Sequence, residues 1–281
     1  MKHRPATFRK ALDVTVRIAS MIAAFTGVFF LGWILLEVTR RGISAINWSF
    51  FTALPAPPGI EGGGLASAIL GTLIITFLAT LIGVPLGILA GVYLAEIGRG
   101  NRLSSIIRFA TNVLMGIPSI IVGLFVYSLL VLPVGHFSGI SGAIALSLII
   151  LPVVARTSDD MLGLVPNELR ESALALGAPR WKATFHIVFR AARTGITTGV
   201  LLAVARVSGE TAPLLFTALN SPYWPSDIRE PTSNLTVTIF NYAMSPYPVW
   251  QNAAWGASLL IMTSVLLATI ITRLLIRERS K

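Results

Sequence analysis

The 281-residue sequence contains no cysteine, and only 12% of its residues are charged. The missing cysteine excludes a disulfide framework, a thiol nucleophile and a thiolate metal site. A soluble domain carries about 25% charged residues, so half of the usual charge is absent. With a mean hydropathy of +0.77, that deficit excludes an ordinary soluble enzyme and any disordered or fibrous class. No Gly-x4-Gly-Lys-Ser/Thr run is present, so the chain has no P-loop with which to hydrolyse ATP. The three histidines, His3, His136 and His186, lack metal-ligand spacing and read as surface or interface residues. What the chain has instead is 54% hydrophobic residues. Spanning strands would alternate apolar with polar residues, so these unbroken apolar runs indicate spanning helices.

At roughly 20 residues per span the apolar content allows about six or seven spans. Six runs stand out: Ile18–Val38, Leu65–Leu94, Phe109–Leu132, Ile140–Ala155, Gly195–Leu219 and Ala253–Thr272. The first follows a basic segment, as in a signal peptide. It is too long for a cleaved signal and no A-x-A-like site follows, so it reads as an uncleaved span. Eighteen of the 22 Lys and Arg fall on one side of this arrangement. Lys2, Arg4, Arg9, Lys10 and Arg17 precede span one, and Arg99, Arg102 and Arg108 follow span two. Arg156, Arg170, Arg180, Lys182, Arg190 and Arg193 follow span four, and Arg273, Arg277, Arg279 and Lys281 close the chain. Only Arg40, Arg41 and Arg229 lie on the other side, and Arg206 lies inside span five. This bias predicts that both termini face the cytoplasm. The net charge of +10 is thus a statement about topology and anionic lipid rather than nucleic acid.

Gly83, Gly87 and Gly91 recur every fourth residue, as do Gly195 and Gly199, which predicts close helix packing inside the bundle. Pro85, Pro118 and Pro152 can bend or interrupt spans two, three and four. The segment Thr157–Ala192 is polar, close to charge-balanced and helical in composition. Pro166 suits a first helical turn, with Glu168 and Glu171 where a helix N-terminus favours anions. Leu169, Ala173 and Leu176 form an i, i+4, i+7 stripe, and Gly177 can supply the left-handed residue that ends this helix. Pro179 starts a second helix, Arg180–Phe189, running toward span five. Such a helix–turn–helix with an apolar stripe must dock on its own bundle or on a soluble partner.

Glu171-Ser172-Ala173-Leu174-Ala175-Leu176-Gly177-Ala178 resembles the EAA loop of binding-protein-dependent ABC importer permeases. Glu171, Ala173 and Gly177 match that pattern, Ser172 replaces an Ala, and Ile187 matches further on. Phe189-Arg190 stands where the family usually has Leu-Pro, a departure bearing on how the second helix meets span five. The resemblance implies an all-α, polytopic transmembrane bundle of about six spans with type I importer architecture. It divides the chain into residues 1–64, a first span and connector, and residues 65–281, the transport unit with its coupling loop at about 157–192. It also implies that Glu168, Glu171, Ala173, Leu176 and Gly177 couple to a separate ATPase subunit, which handles the ATP and Mg. No cofactor is implied for this chain.

The run Arg206-Val-Ser-Gly209-Glu210-Thr211-Ala-Pro213-Leu-Leu places two charges inside span five. Each costs about 2.5–3.5 kcal/mol at mid-helix by insertion scales, so such residues face a partner or a water-filled path. Their i, i+4 spacing puts them on one helix face, where they can partly neutralise each other. An ion pair that merely ties the helix to a neighbour satisfies the same constraint. Span five offers Ser208 and Glu210 without a nearby His, which argues against a membrane hydrolase. The external loop, Asn220–Asn252, holds Trp224, Tyr242, Tyr247 and Trp250, with Trp255 adjoining, which read as an interfacial aromatic belt.

The Arg206 run is similar to the R-x-x-G-E-T-A-P-L signature of phosphate-importer permeases of the PstA type. Gly83–Glu96, Leu151–Arg156 and Leu235–Trp255 agree with that type as well. The resemblance covers about Leu65 to Leu275. It implies phosphate as the transported anion, with a sister PstC-type permease, a dimer of ATPase subunits and an extracytoplasmic phosphate-binding protein as partners. It makes Arg206, Glu210 and Thr211 the substrate-path residues, with Arg156 a weaker candidate that reads equally as a snorkelling anchor. The expected location is the bacterial inner membrane. Alternatives are a permease for sulfate, molybdate or phosphonate, and, from a different class, a membrane scaffold or enzyme subunit.

Overall fold

A computed structural model describes residues 6–60 and 62–278. Lys2, His3, Arg4, Arg279 and Lys281 lie outside the described residues. The regular structure of the described residues is all helical: α1 (Ala6–Gly42), α2 (Trp48–Thr52), α3 (Ala66–Ile97), α4 (Arg102–Gly116), α5 (Ser119–Val134), α6 (Gly139–Gly163), α7 (Asn167–Ala175), α8 (Arg180–Val207), α9 (Ala212–Leu215), α10 (Leu235–Ala243) and α11 (Pro248–Glu278). Five of these, α1, α3, α6, α8 and α11, are long and apolar enough to cross a membrane. The pair α4 and α5 passes the same test together but is bent by 103° at its junction.

Several expected boundaries shift. Span three is not one rod, because Pro118 follows Ile117, whose backbone is extended (φ −73, ψ 130). A residue before proline is pushed out of the helical region, so α4 must stop there. Pro85 and Pro152, by contrast, sit inside continuous helices. Span four runs to Gly163, so the first part of the expected polar loop is helix. Span five also moves. It begins at Arg180, absorbs the expected second loop helix, and ends at Val207 instead of Leu219. With Arg190 where the family usually has proline, nothing interrupts the backbone ladder, and α8 passes through a π-helical turn at Ala183–Val188 without a break.

The small-residue ladder explains how the bundle closes. A Cβ on Gly83 or Gly87 would sit 2.9 Å from the Ser147 carbonyl oxygen or 2.8 Å from Val154 Cβ, and one on Gly91 would collide with Ser158 Cβ. These glycines let α3 lie directly on α6. Gly195 and Gly199 of α8 likewise face Met161 and Thr157 of α6. Between lipid tails there is little hydrophobic drive for helices to associate, so close backbone packing carries the association. Helix α6 is therefore central, and Ile75, Ala79, Leu146, Ile150, Val154 and Val207 form the core between α3, α6 and α8. A second core joins Phe50, Leu65, Leu235, Tyr242 and Ala257. A third joins Val92, Ala95, Leu162, Val165, Val188 and Ile196 where α3, α6 and α8 meet α7. The runs of Arg there make it the basic end of the bundle.

Candidate functional site

The long helix α8 stops inside the apolar body of the protein. Pro213 lacks an N–H and cannot serve the Gly209 carbonyl, and its ring would crowd that carbonyl in a continuous helix. The chain therefore unwinds over Ser208–Thr211 and restarts as the single turn α9. Glu210 N donates to the Val207 carbonyl (3.1 Å), and the Glu210 carbonyl accepts from the Thr236 hydroxyl (2.9 Å). That hydroxyl also lies 3.0 Å from Asn234 Oδ1, and Asn234 Oδ1 caps α10 at Val237 N (2.9 Å). Irregular backbone at membrane depth is tolerated where it lines a cavity, and Ser208 lines two of them here.

Arg206 thus occupies the last turn of α8, where the free carbonyls favour a cation. Glu210 lies beyond the helix, so the expectation of two charges on one helix face is corrected. The pair still meets, with Arg206 Nε 3.8 Å from Glu210 Oε1, but that is an ion contact too long to be a hydrogen bond. The Arg206 side chain is 60% exposed and the Glu210 side chain 17%. Arg206 opens onto a cavity of about 290 Å³ lined by Ile117, Ser119, Val122, Phe125, Pro152 and others. It is the only charged residue in that lining. Thr211 begins α9 without capping it through its side chain.

The cavity also contains what sequence reasoning missed. The Pro118 bend brings the start of α5 to Arg206, and a Cβ on Gly123 would sit 2.6 Å from Pro213 Cα. The bend between α4 and α5 and the unwound segment after α8 are therefore neighbours. Pro118 and Pro213 are visible in the sequence as helix interrupters, but their adjacency depends on packing across some ninety residues. Arg156 is placed differently from its expected position at the end of span four. It lies two turns inside α6 and pairs with Asp160 through Nε and Oδ2 at 3.0 Å.

At the basic end, α7 forms as expected, with Pro166 just before its first residue and Glu168 in its first turn. Gly177 has φ +80. Its N–H donates to Leu174 O (2.9 Å) and that of Ala178 to Ala173 O (3.1 Å), so a left-handed residue ends the helix. Of the expected stripe, only Ala173 is buried. Leu169 is exposed and Leu176 is 88% exposed. Leu164, Leu174, Trp181 and Phe185 are exposed at the same end. Glu168 and Glu171 are exposed as well and make no ion pair among the described residues.

Sequence reasoning does not single out Arg170, the most heavily bonded side chain at this end. Its Nη2 lies 2.7 Å from Glu96 Oε1 and donates to Leu162 O at 2.7 Å. Its Nη1 donates to Val165 O and Pro166 O. At the opposite end, Trp224 and Tyr247 of the aromatic belt expected of Asn220–Asn252 are exposed. Tyr242 and Trp250 depart from that expectation, because their rings stack on each other at 4.4 Å. Trp250 Nε1 also donates to Ala56 O.

A helical bundle with a helix–turn elbow at one end and a broken helix at its centre has the architecture of an ABC importer permease. It superposes on an inward-facing MetNI methionine ABC transporter with TM-score 0.65, at 19% identity over 76% of this chain and 95% of that one. It matches a bacterial alginate ABC transporter, in complex with its alginate pentasaccharide-bound periplasmic protein, with TM-score 0.66 at 16% identity, over 98% and 97%. The chain belongs to the family of binding-protein-dependent transport system inner membrane components, whose model matches residues 83–281. Its relatives there are phosphate permeases. It is 46% identical over 278 residues to the phosphate transport system permease protein PstA of Yersinia pestis, across 99% of this chain and 94% of the relative. It is 51% identical over 261 residues to that of Haemophilus influenzae, across 92% of each.

Proposed function

We infer that this chain is the permease subunit of an ATP-driven importer that moves inorganic phosphate into the cell. Its role is transport, and ATP is hydrolysed by a separate subunit. The observation that carries the reading is Arg206, a lone guanidinium at a helix break, opening onto an apolar cavity at membrane depth. Phosphate is a mixture of mono- and dianion at neutral pH, and a guanidinium offers it forked, bidentate hydrogen bonds. Glu210, 3.8 Å away, repels the anion unless Arg206 compensates, and so keeps the contact from becoming a trap. A carboxylate can also accept the proton that phosphate still carries and that sulfate lacks. Thr211, next along the unwound segment, adds a hydroxyl to the same path.

In this reading both termini are cytoplasmic, as the distribution of Lys and Arg favours, and the membrane is the bacterial inner membrane. The partners are a sister PstC-type permease, two ATPase subunits and an extracytoplasmic phosphate-binding protein. Leu176 and the exposed side of α7, including Glu168 and Glu171, seat in the ATPase, with Gly177 ending the helix at the contact. Arg156, already paired with Asp160 on its own helix, serves as an anchor near the membrane edge. Reconstitution with the sister permease, ATPase and binding protein tests the whole reading. ATP-dependent uptake of labelled phosphate that persists against excess sulfate is the expected result. Competition by sulfate would make the substrate a different oxyanion. Wild-type uptake by Arg206→Ala at normal membrane level would remove Arg206 from the path.

A further inference from the structure

Two arginine clamps, Arg170 nearly buried and Arg108 part-buried, hold the end of α3, and neither is needed to explain anion contact or ATPase docking. That end is a π-helical turn, Tyr93–Ile97, carrying Glu96. From one side Arg170 of α7 grips Glu96 with Nη2 at 2.7 Å and Nε at 3.0 and 3.3 Å, and both side chains are close to fully buried. Arg99 reinforces the contact, with Nη2 3.8 Å from Glu96 and Nη1 donating to Asn167 Oδ1 of α7 at 3.1 Å. From the other side Arg108 of α4 donates to the Leu94 carbonyl at 2.9 Å. Arg108 also forks onto Asp159 of α6 through Nε (2.8 Å) and Nη2 (3.0 Å). Helix α4 then leads directly to the Pro118 bend, whose far side lines the Arg206 cavity.

We propose that Glu96 and Arg170 are positioning residues for energy coupling. They lock α7 to the end of α3, and the Arg108–Asp159 fork passes any displacement of that end to α4 and so to the Pro118 bend. A chain of packed, hydrogen-bonded groups joining rigid helices is the physical form that such coupling takes. The alternative role for the same pair is purely structural, the neutralising of two buried charges. The two roles separate because removing one partner strands a buried charge, whereas removing both does not. The inference rests on the reading that α7 seats in the ATPase.

The test uses the complete reconstituted importer and measures phosphate imported per ATP hydrolysed, beside ATPase co-purification and membrane level. Glu96→Gln combined with Arg170→Met is expected to restore assembly relative to either single variant. The same double variant is expected to lower the phosphate-to-ATP ratio by about tenfold, within the range that coupling between sites spans. An assembled double variant with a wild-type ratio would reduce the pair to a structural role and overturn the proposal. Arg170→Lys provides a second variant, because it keeps the charge and loses the fork. It is expected to assemble normally with a ratio lowered about threefold, and a wild-type ratio there likewise overturns the proposal. A wild-type complex that assembles and hydrolyses ATP without importing phosphate would instead overturn the functional reading, and with it this inference.

Discussion

The basic end of the bundle and the break at its centre treat charge in opposite ways. At the basic end Arg170 and Arg108 spread their N–H groups over carboxylates and helix-end carbonyls at ordinary hydrogen-bond distances. The donors of these two side chains are directed at the protein's own acceptors. At the break Arg206 stands 3.8 Å from Glu210, with more than half of its side chain open. A guanidinium held that loosely retains donors for a transient anion. On the proposed reading, the satisfied arginines fix geometry in this fold and Arg206 keeps donors for a solute.

That comparison can be broken at its strongest point by Asp159→Ala. This substitution strands the part-buried Arg108 and is expected to destabilise the protein by about 3 kcal/mol, the low end of the range because Arg108 is partly solvated. Thermal unfolding in detergent and the amount of protein in the membrane read the loss. Arg206→Ala should behave in the reverse manner, with unchanged unfolding and phosphate uptake lower by roughly ten- to a hundredfold, the worth of a hydrogen bond to a charged group. Unfolding that drops as far for Arg206→Ala as for Asp159→Ala would erase the distinction between the two regions.

Smaller changes sharpen the frame on which both regions depend. Gly91→Ala drives a Cβ into Ser158 Cβ, and separating α3 from α6 at that point should cost about 2 kcal/mol by overpacking. A melting temperature equal to that of the wild type would show that the two helices have slack. Gly177→Ala forces a side chain into φ +80 and should cost about 1 kcal/mol. That loss is expected to be visible as weaker ATPase co-purification at constant membrane level.

Much of this is legible in the residues because it is decided locally. Apolar runs place α1, α3, α6 and α11 within several residues of their centres, and the glycine spacing names the faces that pack. Gly177 ends α7 as its type and position imply. Sequence and structure part where one local signal overrules another. Span five reads as apolar through Leu219, but Pro213 removes a backbone donor, and the helix ends at Val207 however apolar the next residues are. The stack of Tyr242 and Trp250 reads as a belt, because composition cannot tell an aromatic facing lipid from one facing the protein. Arg170 carries no local signal for a similar reason, since its partner Glu96 is 74 positions away.

By itself, the sequence determined that this chain lives in a membrane, which of its faces can approach closely, and that one arginine must sit where burial is costly. These follow from transfer energies and helical periodicity, which act over a few residues. The tertiary structure decided which charges are spent and which remain available. Only the packing of α3, α4, α5 and α8 around α6, with α7 folded against the foot of α8, brings Glu96 to Arg170, Arg108 to Asp159, and the Pro118 bend to the break beside Arg206. A charge in a low-dielectric interior is governed by what stands within a few ångströms of it, and the order of residues along the chain does not set that distance.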